Sequence, residues 1–322
     1  RQDVPKPEPG PGEVLLRVLY LSLDPAMRGW ISETPNYRDP VPVGEVMPGF
    51  TVSEVAASRH PDYAVGELVA ARAGWRDWAV SDGSTIDRKI DPAVAPVATA
   101  LHVLGHTGFT AYLGLMEAGQ PVAGETVAVS TAAGAVGSMV GQIAKLKGCQ
   151  AVGITGSDDK VAACTERFGY DAGVNYKAHP PVDALAAALG AAAPEGIDVY
   201  FDNVGGEISD AVLAHINVGA RIVVCGTMGI RDVAIGEPQP PGPRVNRTLL
   251  IKRARMQGFL FFDYVDRMPA AIAELAAWVR EGKLTYAEDI VDGLERAPAA
   301  LVRLLAGKNT GKMIVRVGPE PG

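Results

Sequence analysis

The stretch ETVAVSTAAGAVGSMVGQIAKLKGCQAVGIT, residues 125–155, constrains the fold more than any other part of the chain. An apolar run (125–131) breaks into a glycine turn, a helix-like segment follows, and a second apolar run (149–155) returns. The same alternation continues through DDKVAACTERFG, the Ala-rich VDALAAALGAAA, IDVYFDNV (197–204), EISDAVLAHI, RIVVCG (221–226) and RMQGFLFF (255–262). Strands alternating with helices of ten to fifteen residues require right-handed crossovers, hence a parallel sheet. Runs as apolar as IDVYFDNV suit burial on both faces of such a sheet. The expected fold class is therefore α/β, a doubly wound parallel sheet of Rossmann type.

The rest of the chain has a different texture. EVLLRVLYLSL (13–23) reads as a strand, and Gly/Pro-punctuated segments after it suggest an irregular β-rich domain to about His102. At 322 residues, two domains are expected. After Tyr264 come an amphipathic helix ending at EGK (281–283), a strand-like DIVDGL, a second helix and a final strand. GIRDVAIGEPQPPGPRVN, between Thr227 and Arg247, is a Pro/Gly-rich loop long enough to be functional or mobile.

The turn points to a nucleotide. A helix opening on a glycine turn binds phosphate, because its free N–H groups and dipole face the anion. The three positions of a G-x-G-x-x-G fingerprint are Ala132, Gly134 and Gly137. Gly134 lets the backbone approach a pyrophosphate, and Gly137 lets the helix pack close to its strand. Ala132 is tolerable if its position does not need a positive φ. An NAD site wants an acid about 20 residues further on, to hold the ribose hydroxyls. Here Ile154, Thr155, Gly156 and Ser157 offer none, whereas Lys160 lies within reach of a 2′-phosphate. Asp158 and Asp159 fall where the next helix begins and suit its N-terminus. NADPH is the expected cofactor.

A net charge of −7 gives no basic footprint for nucleic acid, and no run of about 18 apolar residues marks a membrane span. Cys149, Cys164 and Cys225 form neither a disulfide framework nor a zinc pattern, and they fit a reducing compartment. A cytoplasmic protein with a small-molecule substrate is expected. The chain opens on Arg1 rather than Met, so a leader ahead of it stays open.

LYLSLDPAMRG, GQIAKLKGC, FDNVGGE, ARMQG and GKNTGKMIV carry a more specific signal. With them the chain resembles the medium-chain dehydrogenase/reductase superfamily, in its zinc-independent branch of prostaglandin, leukotriene B4 12-hydroxydehydrogenase, curcumin and plant alkenal reductases. The resemblance implies a GroES-like catalytic domain (1–104, returning at 264–322) interrupted by the Rossmann domain (105–263). It implies cofactor contacts from Gly134, Ala135, Val136 and Gly137 to the pyrophosphate, and from Lys160 and Tyr176 to the 2′-phosphate, beside Gly156. Asn203, Cys225 and Gly226 would lie along the cofactor, Phe259 and Phe261 would flank the nicotinamide, and Asn309 would reach it.

Zinc enzymes of the superfamily polarise a carbonyl with a metal held by Cys, His and Glu. Here PGFTVSEV (48–55) stands where that branch carries G-H-E, and no cysteine precedes Cys149. His102 and His106 have i,i+4 spacing but no third ligand nearby in sequence, so no metal is expected. Without a metal, an α,β-unsaturated carbonyl is the easier acceptor. Hydride goes to the β-carbon and charge spreads to an enolate oxygen. The expected activity is NADPH-dependent reduction of the C=C bond of enals and enones. A quinone reductase of the same superfamily and a non-catalytic NADPH-binding sensor stay open.

Two departures bear on the proton donor. Ala26 stands where many relatives have the tyrosine of D-P-Y-M-R-G, and Arg231 stands where C-G-x-I-S-x-Y ends in tyrosine. The candidate catalytic groups are therefore Tyr63, His106, Tyr112 and Arg231. Asp24 and Arg28, four apart, read as a structural ion pair or cap. ARMQGFLFF reads as an edge strand that pairs across a two-fold axis, giving a homodimer.

Overall fold

The computed structural model describes residues 2–32, 39–230 and 242–320. In chain order the strands are β1 (Val14–Ser22), β2 (Thr51–Ser58), β3 (Leu68–Ala71), β4 (Trp78–Ser81), β5 (Ile86–Ile90), β6 (Thr126–Ser130), β7 (Gln150–Thr155), β8 (Ala172–Asn175), β9 (Ile197–Asp202), β10 (Ile216–Val224), β11 (Arg255–Gly258), β12 (Glu288–Asp292) and β13 (Lys312–Arg316). The α-helices are α1 (Met27–Trp30), α2 (His106–Leu113), α3 (Gly137–Leu146), α4 (Asp158–Ala162), α5 (Val182–Ala192), α6 (Gly206–Leu213), α7 (Val245–Lys252), α8 (Met268–Arg280) and α9 (Ala297–Leu305). The chain divides into two compact units, Arg1–Gly105 with Glu288–Gly322, and His106–Ala287.

The first unit is built on a seven-stranded sheet, β12-β13-β1-β2-β3-β5, with β4 also on β1. β1 organises it. All but one of its residues are buried; its first half pairs with β4, its last residues with β13, and its other edge with β2. The final strand thus docks on the first, which closes the two ends of the chain into one domain. Asp24, just past β1, is buried and accepts from Ser22 Oγ at 2.5 Å and from Lys312 Nζ at 2.5 Å. Asp24 thus pairs with Lys312, a cation 288 residues away that the spacing of Asp24 and Arg28 does not suggest.

The second unit is a six-stranded sheet, β11-β10-β9-β6-β7-β8, parallel throughout. One core lies between this sheet and α5 and α6, with Tyr200, Ile208, Val212, Leu185 and Leu189 at its centre. A Rossmann order with its reversal at β6 results, as the alternation of strands and helices predicts.

Three expectations differ from the structure. Strand 255–262 is shorter: β11 ends at Gly258, and Phe261–Arg267 coil into a 3-10 helix. β8 and α7 are elements that the sequence reading does not contain. The return to the first unit comes at Glu288 instead of 264. The reason is local: Thr285 N–H donates to Gln142 Oε1 at 2.7 Å, Gln142 Nε2 donates to Thr285 O at 2.8 Å, and Arg167 holds Tyr286 O. These bonds tie the chain after α8 to α3 before it leaves.

Candidate cofactor site

The carboxyl ends of β6, β7, β9 and β10 form the switch point where ligands bind in open α/β sheets. At the end of β6 the residue with positive φ is Thr131 (φ 55°), not Ala132. Ala132 therefore needs no glycine, and it packs fully buried. Gly134 and Gly137 are required by space. A Cβ on Gly137 would sit 2.3 Å from Thr131 O, and one on Gly134 would sit 2.9 Å from Thr131 Cγ2. The turn is tied by Gly134 N–H to Thr131 O and by Ser138 N–H to Gly134 O, both 2.9 Å. Ala135 and Val136 lie half-buried on it, and α3 rises directly behind. This cradle of small residues at a helix N-terminus fits a pyrophosphate.

The end of β7 makes a second locus. A Cβ on Gly156 would meet Tyr176 Cε1 at 3.2 Å and Lys177 Cε at 3.3 Å. Lys160 is on the same side: burial lowers its pKa, and the nearby Lys177 ammonium lowers it further. Two ammonium groups beside a phenol, with no acid on the strand end, form a receptor for an anion such as a 2′-phosphate. Asp158, from the first turn of α4, instead accepts from Asn175 Nδ2 at 2.8 Å. Lys177, which adjoins Tyr176, joins this group of candidates although the sequence gives no separate signal for it.

At the mouth of β9, Asp202 is the hub. Its Oδ1 accepts from Tyr200 Oη and from the amides of Val204 and Gly205, all at 2.9 Å, and its Oδ2 accepts from Ser209 Oγ. Asn203 N–H donates to Ser130 Oγ at 2.8 Å, and Asn203 Nδ2 donates to Ser130 O at 2.7 Å, so Asn203 fastens β9 to β6. The amides of Cys225 and Gly226 both donate to Asp202 O, and a Cβ on Gly226 would meet Asn203 O at 2.8 Å. Burial and the Asp202 carboxylate push the Cys225 thiol up to about 12, so it stays neutral.

The remaining candidates separate. Phe261 lies 6.5 Å from the His106 ring, centroid to centroid, which brings those two together. Phe259 does not join them. It is buried, stacks on Tyr264 at 5.3 Å, and lies against Gly114, where a Cβ would come within 3.3 Å of its ring. Tyr112 points to α8: its hydroxyl donates to Glu274, which also pairs with Lys147. Burial and that carboxylate raise the Tyr112 pKa well above its ordinary value. That bond engages the Tyr112 proton with α8. In the first unit, Tyr63 packs on the cluster around Val14, Val55 and Val69, beside His60. Asn309 is buried there, with Nδ2 donating to Gly311 O at 2.7 Å. Arg231 lies outside the described residues. Among the described residues, no three His, Cys, Asp or Glu side chains gather as a metal site.

A parallel Rossmann unit with an anion-receiving turn defines a dinucleotide-binding fold. Comparison with known proteins narrows this. Residues 1–88 match the family model described as the N-terminal domain of oxidoreductase, and residues 135–277 match that described as zinc-binding dehydrogenase. The chain is 46% identical to the NADPH-dependent curcumin reductase of Escherichia coli over 97% of its length and 90% of that protein. It is 39% identical to the NADP(+)-dependent 2-alkenal reductase of Nicotiana tabacum, over 97% and 89%. The crystal structure of CurA from Vibrio vulnificus in complex with NADPH superposes with a TM-score of 0.89 at 44% identity, covering 99% of this chain and 94% of that one. The chain belongs to the medium-chain dehydrogenase/reductase family, in its zinc-independent reductase branch.

Proposed function

We propose that this protein reduces the C=C bond of α,β-unsaturated aldehydes and ketones with NADPH. The observation that carries the reading is the pairing of the Gly134–Gly137 cradle with the Lys160, Tyr176 and Lys177 cluster, a receptor for a dinucleotide with an extra phosphate. Bound NADPH supplies a hydride, which an enone accepts at its β-carbon. The chain's own part is to hold the two phosphate ends of the cofactor and thereby fix its position. Phe261 bounds the site near His106, whose imidazole is the group we assign to the enolate oxygen. NADPH oxidation measured with enals, enones, quinones and saturated ketones tests the reading: turnover confined to quinones would replace it with the quinone-reductase alternative.

The working form we assign is a homodimer. β11 is the open edge of the parallel sheet, and Leu250, Ile251, Met256, Leu260, Phe262 and Val265 around it are exposed. An apolar edge of this kind favours a second copy pairing strand to strand. Light scattering that reports a monomer at micromolar concentration would refute this. A reducing, cytoplasmic setting agrees with three unpaired cysteines, two of them buried. Among the described residues no helix is long and apolar enough to cross a membrane.

A further inference from the structure

The segment between α4 and β8 touches the pyrophosphate helix in an unusual way. Tyr170 is fully enclosed, and its hydroxyl donates to Gly137 O at 2.6 Å. The same hydroxyl faces the Gly141 amide, one helical turn further on. Gly137 is the first residue of α3 and the last of the phosphate turn. A carbonyl has two lone pairs, so the hydroxyl can take one while the helix uses the other.

The sequence makes room for this contact. A Cβ on Gly141 would lie 2.1 Å from Tyr170 Cζ, and one on Gly153 would lie 3.2 Å from Tyr170 Cδ1. The helix and the neighbouring strand β7 therefore both present bare backbone where the ring lies. The next residue, Asp171, reinforces the contact at the far end of α3: it accepts from Lys145 Nζ at 2.6 Å and from Ala151 N–H at 2.7 Å. That ion pair is exposed and worth little by itself. The Tyr170 bond is buried and placed on the one carbonyl that leads into the turn.

We infer that Tyr170 is a positioning residue for the cofactor: by holding Gly137 O it fixes the amides of Gly134–Gly137 against the pyrophosphate. The inference rests on the assignment of that turn as the pyrophosphate site, and the test separates the two. Tyr170→Phe keeps the ring and removes only the hydroxyl. Titration calorimetry should show its NADPH Kd raised about 3- to 10-fold, as expected for one lost buried hydrogen bond. Adenosine 2′-monophosphate, which carries only the 2′-phosphate end, should bind unchanged. The KM for NADPH should rise while kcat at saturating NADPH is retained, a split that mere destabilisation would not give. Ala135→Asp, on the half-exposed turn, should weaken NADPH by repelling the pyrophosphate. If Ala135→Asp weakens NADPH and Tyr170→Phe does not, the role of Tyr170 is overturned. If Tyr170→Phe weakens both ligands alike, its effect is not on the turn and the inference also fails. If Ala135→Asp leaves NADPH binding intact, the turn is not the pyrophosphate site, and both ideas fall.

Discussion

Glu288, the first residue of β12, should make stability fall as the pH rises. Its backbone partner across the strand pair is Lys312, and its Oε1 is buried with no hydrogen-bond partner. Burial raises its pKa from 4.5 to about 7, against the opposing pull of Lys312. Lys312 is already committed to Asp24 and Leu23 O, so it cannot fully offset a second buried carboxylate. With the folded pKa above the unfolded one, the folded state keeps a proton that the unfolded chain releases. Stability from this group is therefore complete below pH 4.5 and declines to about pH 7, above which it is flat. The span from 4.5 to about 7, at about 1.36 kcal/mol per pH unit, makes the full loss about 3 kcal/mol. Glu288→Gln keeps the shape and removes the titration. About 2.5 kcal/mol of this falls between pH 5 and pH 8, so thermal melts there should show the wild type losing about 5–10 °C more than the variant, at about 2–4 °C per kcal/mol. Equal pH dependence in both proteins would refute the reasoning.

Lys160→Ala and Lys177→Ala should each weaken NADPH about 10- to 100-fold while changing NADH by less than about twofold, as expected for charged contacts to a phosphate. Equal losses for both cofactors in binding titrations would remove the 2′-phosphate role. Tyr112→Phe should leave kcat unaltered and lower stability by about 1–2 kcal/mol, because it breaks the bond to Glu274 and not a contact to substrate. A large fall in kcat without a change in melting temperature would return Tyr112 to the catalytic set.

Residues 125–155 could be read directly because their apolar runs and glycines answer to one local geometry. The need for glycine at 134 and 137 is a matter of space against Thr131, three and six residues away, so it leaves a mark in the sequence. The position of the left-handed residue does not: Thr131 adopts it without any compositional cue. β8 is hidden for another reason. AGVN is short, and its Gly173 is there to admit Val161, whose side chain would lie 2.8 Å from an added Cβ. α8 has one apolar stripe around Ala271, Leu275 and Ala276, which would serve either unit equally. The Gln142–Thr285 and Arg167–Tyr286 bonds assign the following segment, and their partners are 143 and 119 residues apart. The bond of Tyr112 is hidden in the same way, since its carboxylate partner lies 162 residues downstream. Long-range pairing of single polar groups is what periodicity cannot carry.

The central claim is that hydride from NADPH goes to the β-carbon of an enone. The most direct measurement is a reaction with NADPH deuterated at the transferable C4 position and a 2-alkenal, with the product analysed by mass spectrometry and NMR. The account predicts a saturated aldehyde bearing deuterium at its β-carbon. Deuterium at the carbonyl carbon of an allylic alcohol would contradict it.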